Sequence, residues 1–535
     1  MPRASGYALR TDFVLRLSSI LFFAQDIVIK KQDFFVEYKN KTYLSFEIKL
    51  SLMIQGSHLS KIYRAGWGNL TDLYQLTMAY GYWQQQIHER QAVFHLFFRS
   101  HPFKGQYTVA AGLALVADYL QNFGYSAEEV QYLGSLKGAD GRALFSETFL
   151  HYLQRLRFTG SVHAVPEGTL MFPHEPLLRI EAPLVQAQLI ETALLTLVNF
   201  SSLVATKAAR MRQAAGEDTI LEFGLRRAQG IDGGLTASRS AYIGGCDATS
   251  NVWAGQHLGI PVKGTHAHSW VMVFADELEA FQSYAAALPN NCTFLVDTYD
   301  TLSGVEKAIE VGLQLREKGH RLMGIRLDSG DLASLSKRAR ILLDEAGFPE
   351  AAIVASNDLD EHAIRDLKHD GAKITTWGIG TRLVTAHDQP ALGGVYKLAA
   401  IANEQGQLEP RIKLSDQEVK TSNPGAQQVR RYFEDGVPVG DIIFEKGRPP
   451  GVVPELVPFH LAGTVKLPEN AESKDLLLPI ITEGDFCYDF PTLEEIKDFC
   501  RTQIKGLEKR ADKPYVYGLE LQLAALKQQL IAQNK

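Results

Sequence analysis

Between about residues 218 and 400 the chain repeats one local pattern: a short apolar run, a polar cluster, then an amphipathic stretch often closed by glycine. Residues 219–223, 262–265, 293–296, 321–327, 353–355 and 374–377 read as strands. Residues 302–317, before Gly319, and 331–346, before Gly347, read as helices, the second with Leu332, Leu335, Ala339 and Leu342 on one face. Residues 359–368 read as a third helix. Strands joined by helices in this way pair in parallel through right-handed crossovers. A barrel and a doubly wound sheet both satisfy the pattern.

The flanks differ. Thr71 reads as the N-cap of a helix on which Leu73, Leu76, Tyr80 and Trp83 recur at helical spacing. Residues 91–98 and the region 165–180 read as strands, and 191–215 as a long apolar-rich helix. Residues 395–465 return to strand-like patches, and 470–535 hold an acidic linker and two helices. Residues 1–66 have another texture, rich in Lys, Phe and Ile without a clear period, and read as an extension without chemistry of its own. Arg16, Gln25 and Asp26 interrupt the apolar run 13–29, which makes it a poor bilayer span and a weak signal peptide.

Composition narrows the function. With 45% hydrophobic and 22% charged residues over 535 positions, the chain is ordinary globular protein. Fifty-five Lys and Arg against 61 Asp and Glu give a formal charge of −6, so no basic excess exists to grip nucleic acid or an anionic membrane. An anionic substrate must then be held by a few local cations. Cys246, Cys292, Cys487 and Cys500 are scattered without a CxxC pair, which fits a reducing cytoplasm rather than a disulfide framework.

In a parallel α/β barrel the active site lies at the carboxyl ends of the strands. Here those ends carry Glu222-Phe223-Gly224-Leu225-Arg226-Arg227, Gly264-Thr265-His266-Ala267-His268-Ser269, Asp297-Thr298-Tyr299-Asp300, Arg326-Leu327-Asp328-Ser329-Gly330-Asp331, Ser356-Asn357-Asp358 and Gly378-Ile379-Gly380-Thr381. One such cluster is an ordinary helix cap; six at corresponding positions are not. Arg326 offers a bidentate fork to a carboxylate or phosphate. Asp297, Asp328 and Asp331 are hard oxygen ligands suited to Mg²⁺ on phosphates. Gly380, Thr381, Ser356 and Asn357 offer N–H groups and hydroxyls where phosphates bind. His266 and His268 fall on one face of an extended segment and admit two readings: a zinc pair of a barrel hydrolase, or a single nucleophilic histidine that accepts a phosphoryl group. The other strand ends supply no further histidine for zinc.

Taken in order, Thr71-Asp72-Leu73-Tyr74-Gln75-Leu76-Thr77-Met78-Ala79, Phe223-Gly224-Leu225-Arg226-Arg227, Gly264-Thr265-His266-Ala267-His268-Ser269, Arg326-Leu327-Asp328-Ser329-Gly330-Asp331-Leu332, Gly378-Ile379-Gly380-Thr381 and Gly393-Gly394-Val395-Tyr396-Lys397-Leu398 resemble nicotinate phosphoribosyltransferase. The resemblance runs from about Gly66 to residue 465, more faintly to the end, and leaves out 1–66. It implies a type II phosphoribosyltransferase fold: an irregular α/β barrel packed with a discontinuous open-faced α/β sandwich. The domains expected are an N-terminal extension at 1–66, a sandwich from 67–190 and 395–465, a barrel at 191–394 and a C-terminal helical segment at 466–535.

The resemblance also implies that nicotinate and 5-phosphoribosyl-1-diphosphate give nicotinate mononucleotide and diphosphate in NAD biosynthesis. ATP hydrolysis would be coupled, which makes the enzyme formally a C–N bond-forming ligase, with Mg²⁺ required. His268 would be the phosphorylated histidine. Tyr74 would reach the pyridine site from the other subunit of a homodimer with shared sites. Thr265 and Arg326 would contact nicotinate and Thr381 the phosphoribosyl diphosphate. Phe223 would stack on the ring, with Arg226, Asp328, Ser356, Asn357 and Gly380 around the phosphates. Two rivals stand beside this reading. Nicotinamide would want an acceptor such as Asp247, and a silent homologue would have lost one of His268, Arg326 and Asp328, all of which are present.

Overall fold

Six strands at the centre of the chain pair entirely in parallel. They are β1 (Thr219–Glu222), β2 (Ala248–Thr249), β3 (Thr293–Leu295), β4 (Gly324–Leu327), β5 (Ala352–Ala355) and β6 (Thr376–Ile379), in the spatial order β3-β4-β5-β6-β1-β2. The computed structural model describes residues 28–29, 36–37, 67–417, 420–510 and 515–534. The chain divides into two units, Met1–Ser57 and His58–Lys535. The first holds a two-stranded antiparallel ladder, Val28–Ile29 with Val36–Glu37. The apolar run 13–29 lies otherwise outside the described residues.

In the second unit the helices alternate with the parallel strands as the period requires. Thr301–Glu317 and Leu332–Glu345 start where Asp300 and Asp331 accept the Ser303 and Ser334 N–H groups, at 2.9 and 3.1 Å. Gly319 and Gly347 follow with φ of 78° and 77°, the left-handed exit that glycine adopts without strain. Residues 262–265, read as a strand, form only one parallel bridge, Val262 to Thr249, and the second strand is the shorter Ala248–Thr249. Among the described residues no main-chain bond joins the 262–266 segment to β3. There the His266 ring takes the Leu295 N–H at 3.3 Å instead.

A seven-stranded antiparallel sheet packs beside it, in the order Leu408–Pro410, Gly394–Ala402, Gln91–Phe98, Leu178–Pro183, Ser161–Ala164, Leu478–Thr482, Asp485–Phe486. Residues 91–98 form the strand that their alternation predicts, and Gly394–Ala402 pairs with it antiparallel. Two boundaries differ. Gln427–Glu434, Val437–Glu445, Glu455–Pro458, Val465–Lys466, Glu472–Asp475 and Val516–Glu520 build a separate six-stranded sheet, so 395–465 is split between two sheets. Residues 466–535 are a strand donor to both sheets as well as the helices Leu493–Glu508 and Leu521–Gln533. Antiparallel ladders recruit strands far apart in sequence, and strands this short leave little alternation to read.

The Glu191–Ala215 helix joins the layers, packing on Ile231–Ile243, Glu361–His369 and Gly394–Ala402. It is long and apolar enough to cross a bilayer, yet 67% of its most apolar stretch is buried in protein. A bidentate pair of Arg239 with Glu167, both bonds 2.7 Å and both side chains buried, ties the helix after β1 to the segment that packs on Glu191–Ala215. The N-terminal helix starts at Leu73 with Asp72, not Thr71, at the cap. Thr71 instead donates to Leu189 O at 3.3 Å. Gln75, Leu76 and Ala79 face inward, whereas Leu73 and Tyr74 are half exposed.

Candidate active site

Parallel registry brings Leu295, Leu327, Ala355, Ile379, Glu222 and Thr249 to the same end of the sheet, so the polar residue after each strand arrives on one rim. In β4 the alternation buries Ile325 and Leu327 on one face and turns Arg326 to the other. There its guanidinium donates from Nε to Ser356 Oγ at 2.8 Å, from Nη1 to Thr265 Oγ1 at 3.1 Å and from Nη2 to Asp328 Oδ1 at 2.9 Å. A guanidinium has five N–H groups, so one remains on each terminal nitrogen. The Phe223 ring lies 5.7 Å from Arg326 Cζ. Gly378 makes room for that ring: a Cβ there would stand 2.8 Å from its edge.

Asp328 is the hub. Its Oδ1 accepts from Arg326 and from the Ser356 hydroxyl in a short bond, and its Oδ2 lies 3.7 Å from His268 Nε2. Burial opposes its charge, but the Ser356 hydroxyl, Arg326 and His268 outweigh burial and hold the carboxyl below the usual range. His268, 39% exposed at the start of the His268–Met272 helix, sets Nδ1 3.1 Å from Thr298 Oγ1. Asp297 accepts the Asp328 N–H at 2.8 Å and the Ser329 hydroxyl at 2.6 Å on Oδ2. Its Oδ1 is buried without a hydrogen-bond partner among the described residues.

The two histidines of the HxH run part company. His266 Nε2 accepts the Leu295 N–H, and Nδ1 faces Ala267 O at 3.4 Å. Burial pushes its pKa down to about 4, so the ring is neutral and both nitrogens are engaged in the fold. That removes the zinc pair. The three acids do not converge either: among the described residues no three His, Cys, Asp or Glu side chains form a ligand group. Asp331 is an exposed helix cap and Asp328 is taken up by Arg326 and Ser356. The orphaned Asp297 Oδ1 nevertheless fits a cation that brings its remaining ligands from phosphate and water. Asp247, weighed as an amide acceptor, sits at the other end of the sheet. It accepts the Ile220 N–H at 2.8 Å and pairs with Arg212.

Ser356 is buried at the centre, while Asn357 follows it with φ of 110°, a conformation costly for a residue with a Cβ and concentrated at functional loops. Gly380 and Thr381 open the short Thr381–Val384 helix on the same rim. Arg226 and Arg227 stand exposed on the Leu225–Arg227 turn, with no ion pair among the described residues. Tyr74 is 51% exposed, and no hydrogen bond or ring contact joins it to the Arg326 cluster. Thr298 and Ser329 are two further residues of this site that no motif singles out. Each directly follows a strand-end aspartate, which is the signal available for them.

Three family models match the chain in order: the nicotinate phosphoribosyltransferase N-terminal domain over residues 70–199, the nicotinate phosphoribosyltransferase family over 219–437 and the C-terminal domain over 426–527. The chain is 46% identical over 461 residues to nicotinate phosphoribosyltransferase of Bacillus subtilis, covering 84% of this chain and 92% of that protein. It is 40% identical to the Dictyostelium discoideum enzyme of that name, covering 82% and 83%. The crystal structure of human nicotinic acid phosphoribosyltransferase superposes with a TM-score of 0.73 at 35% identity, over 86% of this chain and 99% of that one.

Proposed function

The chain belongs to the nicotinate phosphoribosyltransferase family, and on that premise we propose that it joins nicotinate to the ribosyl carbon of 5-phosphoribosyl-1-diphosphate, releasing diphosphate and nicotinate mononucleotide for NAD biosynthesis. The observation that carries this is the Arg326 fork. Three of its N–H groups are fixed by Ser356, Thr265 and Asp328, which leaves one on each terminal nitrogen beside the Phe223 ring. A planar carboxylate on an aromatic ring matches that pairing of donors and platform.

The pyridine nitrogen is already a nucleophile and needs placement rather than deprotonation. Phe223 and Arg326 supply placement, with Thr265 completing the carboxylate contact. Departure of diphosphate from C1 leaves an oxocarbenium-like centre, so charge must be absorbed on the leaving group. Arg226, Asn357, Gly380 and Thr381 surround that position. Asp297 would hold Mg²⁺ through its unpaired oxygen, and the ion would neutralise charge on the diphosphate, while Asp328 is spent on Arg326 and Ser356. Asp331 drops out of this ligand set because it caps its helix.

ATP enters through His268. In the coupled step an imidazole nitrogen attacks the γ-phosphorus, the bond to the ADP oxygen breaks, and water later cleaves the phosphoramidate to give free phosphate. The exposure of His268 and its hold by Thr298 support this role. Tyr74, exposed and without a contact to the Arg326 cluster among the described residues, fits a site completed by a second copy in a homodimer. Four unpaired thiols accord with a cytoplasmic setting.

The deciding experiment pairs nicotinate with nicotinamide, each with phosphoribosyl diphosphate and Mg²⁺, with and without ATP. Nicotinate should be preferred about a hundredfold or more in kcat/KM, since a clamp that pairs with a charged carboxylate gains little from a neutral amide. Preference for the amide would sink the proposal.

A further inference from the structure

We infer that Glu222 is a positioning residue for the pyridine platform: its buried carboxyl group clamps the backbone turn that carries Phe223 and Arg226. This rests on the nicotinate reading and adds to it a residue outside the rim.

Glu222 ends β1, is 1% exposed and points beneath the rim. One carboxyl oxygen accepts the Gly224 N–H in a short bond. The other accepts the Ser238 hydroxyl at 2.8 Å and the Thr249 hydroxyl at 2.5 Å. Asn251, fully buried, braces both hydroxyls: its N–H donates to Thr249 Oγ1 at 2.9 Å and its amide to Ser238 Oγ at 3.2 Å. Among the described residues no lysine, arginine or histidine pairs with Glu222. Burying a carboxyl group without a cation is costly, and here three donors, the Gly224 N–H and the Ser238 and Thr249 hydroxyls, offset that cost. What the acid gives is geometry.

The turn it holds is confined from several sides. The Phe223 N–H donates to Ile379 O at 2.7 Å. A Cβ on Gly224 would stand 2.1 Å from Val384 Cγ1, so the backbone there lies flush against the Thr381–Val384 helix. Glu222 grips the next amide from below. Phe223 and the Leu225–Arg227 turn therefore have one backbone path, with the ring over Gly378 and the two arginines at the rim. Without the clamp the Gly224 N–H is left unpaired and the turn is free to lift, which shifts ring and guanidinium together.

The test uses the full chain with nicotinate, phosphoribosyl diphosphate and Mg²⁺. Glu222→Ala should raise KM for nicotinate about tenfold or more. Glu222→Gln, whose amide offers an oxygen to Gly224 and N–H groups to the Ser238 and Thr249 oxygens, should restore KM to within about threefold of the wild type. A residue that only supported the fold would lower Tm and the active fraction while leaving KM of the surviving enzyme unchanged. Thr249→Val, which removes one donor from the clamp, carries the same expectation at about threefold and serves if Glu222→Ala does not fold. An unchanged nicotinate KM in folded Glu222→Ala, or in Thr249→Val in its place, overturns the inference. A wild-type chain that fails to turn over nicotinate would instead overturn the parent reading, and this one with it.

Discussion

His268 Nε2 stands 3.7 Å from Asp328 Oδ2, while the other oxygen of that carboxylate accepts from Arg326 at 2.9 Å. One acid thus connects the side chain proposed to hold the base with the side chain proposed to take the phosphoryl group. A phosphate on His268 would bring negative charge next to Asp328, and like charges at that spacing repel. The energy of the phosphorylated state would then be felt at Arg326, which offers a physical route from ATP to base binding.

The first prediction follows from that route. His268→Ala should keep ATP-independent turnover and lose the stimulation by ATP, because the base site keeps Arg326, Thr265 and Phe223. Steady-state rates at matched substrate, with and without ATP, measure it. Normal stimulation in the variant would remove His268 from the coupling.

Arg326→Lys should raise KM for nicotinate about ten- to a hundredfold, with a smaller change in kcat. A lysine keeps the charge but supplies a single point, and cannot satisfy Ser356, Thr265 and Asp328 while offering a fork to the substrate. Initial rates over a nicotinate series decide it. A KM within twofold of the wild type would contradict the clamp.

Gly378→Ala places a methyl group 2.8 Å from the Phe223 ring edge. Either ring or strand must give way, at about 1–3 kcal/mol in stability. Denaturant unfolding should show that loss together with a raised KM for nicotinate. Loss of stability with an unchanged KM would mean that the ring moves without consequence for the base.

Stability against acid should fail early. Burial holds His101, His174 and His266 at about 4, and it lowers His95 and His163 as well. Unfolded, each titrates near 6.5, so below that pH the unfolded chain binds more protons than the folded one. Their contribution is complete above about pH 6.5 and disappears as pH falls to about 4. Carboxyl groups held low, such as Asp328 and Glu167, lose theirs only at lower pH still. Denaturation midpoints measured from pH 7 to 4 should fall throughout that window; a flat profile down to pH 4.5 would show the histidines to be solvated.

Much of the rim is legible in the sequence because it is local. Asp300 and Asp331 announce helix starts, Gly319 and Gly347 announce stops, and a polar run after each apolar run marks a strand end. Parallel pairing then places those runs together. Other partnerships are invisible to such reasoning. Asp247 lies two residues past a glycine pair and looks available, yet it is spent on Arg212 and Ile220. His266 and His268 sit two apart and look equivalent, yet one is locked to Leu295 and the other faces the cleft. The 262–265 segment has the composition of a strand but keeps a single bridge.

The order of residues by itself determined the secondary-structure rhythm, the side of the sheet on which chemistry gathers and the family. Those follow from periodicity, capping and short-range sterics, which act over a few residues. Only the tertiary structure decided which acid remains free for a cation, which histidine faces solvent, and how strands from 91–98, 161–183, 394–410 and 478–486 close one sheet. Those outcomes depend on partners about thirty residues away for the histidines and Asp297, and about three hundred for the sheet, and on burial that no local window contains.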